Sequence, residues 1–72
     1  MIKEAIKILK EQMHVTPTSY MPYRNGYIFV TDENNISPLY IVDMDKRTSG
    51  PFSVALDIDG FFKASKNIQK IN

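Results

Sequence analysis

Gly26-Tyr27-Ile28-Phe29-Val30-Thr31 decides the fold. Every residue after the glycine is aromatic or β-branched, the composition of a strand that packs on a pleated surface. Arg24-Asn25 precedes it and joins Gly26 in the strongest turn signal of the chain, because Asn and Gly both accept the positive φ of tight hairpin turns. Upstream, Gln12 to Tyr23 carries no formal charge and is punctuated by Pro17 and Pro22. It reads as an extended edge strand or a loop with strand character. Downstream, Asp32-Glu33-Asn34-Asn35 is a polar turn and Pro38 to Asp43 the next strand. Asp45 to Gly50 forms another turn, with Gly50 expected at positive φ, and Pro51 to Ala55 a short last strand. These spacings are those of an antiparallel meander.

The two ends of the chain read as helices. Ile2, Ala5, Ile6, Leu9 and Met13 recur on one helical face, with Ile8 off the stripe and widening it. Lys3, Glu4, Lys7, Lys10 and Glu11 lie mostly opposite, and Val15, Thr16 and Pro17 end the helix near Met13 or His14. At the other end Asp57 or Asp59 caps a second helix, whose stripe is Phe61, Ala64, Ile68 and Ile71. The expected architecture is α+β: an N-terminal helix, a three- to four-stranded antiparallel meander sheet and a C-terminal helix. Each helix has one apolar stripe to bury, so both are expected on one sheet face.

The chain has 72 residues, which limits it to a single small domain over 1–72. Its apolar share of 43% is ordinary and its net charge of +1 is small, which argues against disorder. The absence of Cys excludes a disulfide scaffold, thiolate chemistry and Cys-based zinc sites. No apolar run is long enough for a signal peptide or a membrane span, so no membrane partner and a cytoplasmic location are expected. A core of this size supplies only ~3–5 kcal/mol without staples. Efficient packing or a partner, such as a second copy, must complete it.

Chemistry-bearing residues are sparse. The single histidine, His14, falls at a helix end, where the helix dipole accounts for it. No serine lies in a Gly-x-Ser-x-Gly setting. Asp43/Asp45 and Asp57/Asp59 could each present two carboxylates to a hard cation. The calcium-loop pattern fails after Asp57-Ile58-Asp59-Gly60, and turn and cap roles explain these aspartates. With three dispersed glycines there is no phosphate-cradling loop. No catalytic residue, cofactor site or metal site is assigned.

Two surfaces stand out. Tyr20-Met21-Pro22-Tyr23 is uncharged and rich in residue types favoured at protein contacts, and Tyr20, Met21 and Tyr23 are the expected protein-contact residues. An edge strand there would also offer unpaired backbone groups. The alternative is nucleic acid. The strand around Tyr27 and Phe29 partly resembles the aromatic strand of an RNA recognition motif, and Lys63, Lys66 and Lys70 lie in a last segment free of acids. The small net charge offers phosphates little attraction.

Tyr40-Ile41-Val42-Asp43-Met44-Asp45-Lys46-Arg47-Thr48-Ser49-Gly50-Pro51-Phe52-Ser53, followed by Asp57-Ile58-Asp59-Gly60-Phe61-Phe62-Lys63-Ala64, resembles a group of small uncharacterised proteins from phages and prophages of low-GC Gram-positive bacteria. Their shared features are an N-terminal helix, a strand running into a Lys-x-Thr-x-Gly turn, Phe-Ser, and a closing Phe-x-Lys-Ala helix. The resemblance implies a phage or host-cytoplasm setting and no catalytic residues. The expected function is a non-enzymatic protein-interaction module, in homodimeric form or with another protein.

Overall fold

The computed structural model describes residues 1–71. Helix α1 spans Ile2–Met13, and the strands are β1 (Ser19–Tyr23), β2 (Gly26–Asp32), β3 (Asn35–Asp43) and β4 (Thr48–Phe52). A 3-10 turn at Val54–Leu56 leads into helix α2 (Ile58–Ser65), and a two-residue strand β5 (Gln69–Lys70) closes the described chain. The sheet order is β4-β3-β2-β1-β5, with every described pairing antiparallel. The α+β class and the helix–meander–helix order follow the sequence reading, and β5 adds a fifth strand.

The helices do not share a face. In β2, Ile28 and Val30 point one way while Tyr27 and Phe29 point the other, by the two-residue period of a strand. Phe29 and Val42 pack with Ala5, Ile8 and Leu9 of α1. Ile28, Val30, Met21 and Leu39 pack with Phe61 and Ala64 of α2. The expectation of both helices on one side is therefore corrected: the sheet is the middle layer of three. The physical reason is that β2 is apolar on both faces, the mark of a strand covered twice. Ile8 is buried at the centre of the α1 contact rather than at its margin.

The covering is also staggered. Helix α1 lies over β3 and β4, whereas α2 lies over β1 and the 3-10 turn. On the α2 face, the β3–β4 half is covered only by that short turn, through Val54. On the α1 face, the β1 side is closed by half-buried Tyr20 and Tyr27, stacked edge-to-face at 5.6 Å between ring centroids, and by Ile71.

Several local features differ from expectation. No described glycine has positive φ; Arg24 (φ 49°), Arg47 (φ 55°) and His14 (φ 58°) take the left-handed positions instead. Gly26 is needed for space: a Cβ there would lie 1.8 Å from the Val42 carbonyl oxygen. Strand β4 begins at Thr48, so Gly50 is inside it and the turn is shorter than expected. Residues Val54–Leu56 are 3-10 rather than strand. Helix α2 ends at Ser65; Ile68 and Ile71 do not extend its stripe. The chain crosses to β1 instead, where the Ile71 amide donates to the Thr18 carbonyl at 2.9 Å.

Glu33 fastens this end. Its Oε2 accepts from Ser19 Oγ at 2.9 Å and from Thr18 Oγ1, and Lys70 Nζ lies 3.7 Å from Oε1. The two hydroxyls hold the Glu33 carboxyl below the ordinary carboxylate range. None of the described helices is long and apolar enough to cross a membrane.

Candidate functional site

Helix α2 is positioned by one carboxylate. Asp57 is its N-cap, and Asp57 Oδ1 accepts from the Gly60 amide at 3.0 Å. Asp57 Oδ2 accepts from Tyr23 Oη at 2.6 Å and from Arg24 Nη2 at 3.0 Å. The cap thus ties the start of α2 to the β1–β2 turn. A Cβ at Gly60 would sit 2.1 Å from Asp57 Oδ2, so any side chain there expels the carboxylate from its cap. The Tyr23 hydroxyl, then the Gly60 amide and Arg24, hold the Asp57 carboxyl below its ordinary range. Burial, reinforced by the bond to Asp57, pushes the Tyr23 phenol up. Both effects keep the proton on the tyrosine, and Arg24 adds a guanidinium 5.3 Å from the Tyr23 ring centre.

Fixed this way, α2 turns Phe61 and Ala64 into the core. Successive helix residues differ by about 100° in direction, and with the buried stripe running through Phe61 and Ala64, Phe62 falls outside it. Phe62 is 59% exposed, and Ile58, one turn earlier on the same flank, is 52% exposed. Leu56, just before the helix, is 73% exposed. Ser65 continues this flank and helps line a shallow groove with Phe61, Leu39, Val30, Ile36 and Ile68. Ile36 and Ile68 are themselves largely exposed at its rim. Helix α2 therefore presents Ile58 and Phe62 outward, beside a groove whose apolar floor is bordered by the polar Asp32–Asn35 turn.

The residues expected to make protein contacts lie elsewhere. Met21 and Tyr23 are buried in the α2-side core, and Tyr20 is half-buried on the α1 side. Met21 and Tyr23 are corrected from contact surface to core, because β1 is an inner strand over Ser19 and Tyr20 and lies beneath α2, while Tyr20 keeps part of its surface open. Strand addition is also disfavoured. Pro22 lies where β1 runs past β5, Pro51 lies in edge strand β4, and neither has an N–H to donate.

The nucleic-acid set is not brought together. Phe29 is fully buried under α1 and Tyr27 is half-buried beside it. Lys63 and Lys66 belong to α2 on the opposite face, and Lys70 sits in β5 against Glu33. Asp43 Oδ1 accepts from the amides of Asp45 and Lys46 at 2.9 and 3.1 Å, a turn role. His14 is the exposed left-handed C-cap of α1, its amide donating to the Lys10 carbonyl at 3.0 Å. Among the described residues, no group of three His, Asp or Glu side chains converges for a metal ion.

The α2 flank was missed in the sequence although Phe62 signals it: it lies off the Phe61–Ala64 stripe of a short helix. Comparison with known proteins returns no matching family model, no matching curated protein and no matching solved structure.

Proposed function

We propose that the protein is a non-enzymatic protein-binding module, and that its contact surface is the outer flank of α2 rather than β1. The observation that carries this reading is the exposure of Ile58 and Phe62 on a helix whose other face is already buried. Aromatic and large aliphatic groups at the centre of a patch are the side chains that dominate protein contacts. Supporting it, three carboxylates are spent on structure: Asp57 on its cap, Asp43 on a turn and Glu33 on the chain end. The motif resemblance supports a phage or host-cytoplasm setting for this binding.

The test is photo-crosslinking in cells with p-benzoylphenylalanine in place of Phe62. A discrete adduct, identified by mass spectrometry and lost when Ile58→Asp is added, is the expected result. The control carries the probe at exposed Lys7 of α1. Adducts no different from that control overturn the reading.

A further inference from the structure

We infer that the partner on this flank is a second copy of the chain, packed antiparallel through α2; this rests on the protein-contact reading above. The charge pattern of the helix carries the inference. Asp59, Phe62 and Lys66 follow i, i+3 and i+7, so they form one outward row with an acid at its start, an aromatic in the middle and a base at its end. Lys66 keeps helical backbone angles as the C-cap, so the row is unbroken. Among the described residues, neither Asp59 nor Lys66 takes part in an ion pair within the chain, whereas Asp57, Glu4 and Glu33 do.

A two-fold axis through Phe62 maps this row onto itself in reverse. Phe62 then meets Phe62 of the second copy, and Asp59 of each copy comes beside Lys66 of the other. That is the self-complementarity an isologous contact requires. A parallel arrangement would set acid against acid and base against base, which is repulsive.

The available area is small, which suits a transient contact. A standard interface covers about 800 Å² per partner, against a total accessible surface of 4791 Å² for this chain. An eight-residue helix flank supplies only part of that, with Ile58 one turn from Phe62 on it. The dimer is therefore weak, assembling in the micromolar range.

Sedimentation velocity on the full chain, from low to high micromolar, tests this. The mass average should climb from monomer towards dimer with concentration. Asp59→Lys and Lys66→Asp should each weaken assembly about tenfold by placing like charges together, and the double exchange should restore it. Both positions are exposed, and circular dichroism verifies that each variant folds. A double exchange as weak as either single overturns the antiparallel pairing. A chain that stays monomeric throughout, while position 62 crosslinks to a different protein in cells, overturns the second-copy inference and leaves the contact reading standing. A monomer that forms no adduct overturns both.

Discussion

Tyr23 and Asp57, 34 residues apart in the chain, meet in a 2.6 Å hydrogen bond that joins the end of β1 to the start of α2. The phenol donates, and the carboxylate that accepts it also caps the helix. A single carboxylate therefore couples helix initiation to the sheet, and it sets how the exposed flank of α2 is presented.

Asp57→Ala should lower the thermal midpoint more than Asp59→Ala does. The first removes the acceptor for Gly60, Tyr23 and Arg24 together. The second removes a first-turn acid whose effect within a single copy is limited to the helix dipole, so the melts are run on dilute protein. Circular dichroism melts of the two variants make the comparison, and equal midpoints would show that the clamp contributes nothing.

Stability should fall at both ends of the pH scale. Asp57 and Glu33 have depressed carboxyl values when folded. Their contribution is complete above the unfolded value, near pH 4, and is lost as pH falls through the folded values. Tyr23 is raised when folded, so its contribution is complete below about pH 10 and is lost as pH rises through the folded value. Urea midpoints across pH should show Asp57→Asn with a shallower acid limb and Tyr23→Phe with a shallower alkaline limb.

Gly26→Ala should destabilise by about 1–3 kcal/mol, the range for overpacking, because the added methyl meets the Val42 carbonyl of the paired strand. Gly50→Ala meets nothing within 4 Å and has negative φ, so it should be neutral or stabilise by up to about 1 kcal/mol through the unfolded chain. Urea denaturation of both variants separates a spatial requirement from a conformational one.

Phe29→Ala should cost about 3–5 kcal/mol, as for other buried aromatics, and leave a domain of this size largely unfolded. Phe62→Ala should shift the stability of the dilute protein by no more than about 0.5 kcal/mol, since that ring lies outside the core. A large loss from Phe62→Ala would mean that the ring is packed within the monomer.

Much of the architecture was legible because its signals are local. The aromatic and β-branched run at Tyr27 to Thr31 marks a strand by itself, Ile2 to Met13 marks a helix, and Asp57 marks a cap. Which side of a sheet a helix takes is not local: a stripe tells which side of the helix is oily, not which layer it will meet. The clue was the unbroken Ile28-Phe29-Val30, which needs cover above and below. Ile68 and Ile71 misled because a three-residue spacing also suits extended chain: they flank β5, Ile68 beside the α2-side groove and Ile71 on the α1 side. Tyr20 to Tyr23 misled because an uncharged aromatic segment has the same composition whether it faces a partner or an interior.

Because α1 and α2 each pack on their own side, the strands are the sole wall common to two separate oily compartments. Loosening of the C-terminal helix would empty one compartment while the other stays sealed. Such a molecule opens in stages, with amides of β2 and β3 exchanging last. A signal received at Phe62 reaches α1 through the thickness of that wall, or along the chain to Ile71, which closes the α1 side.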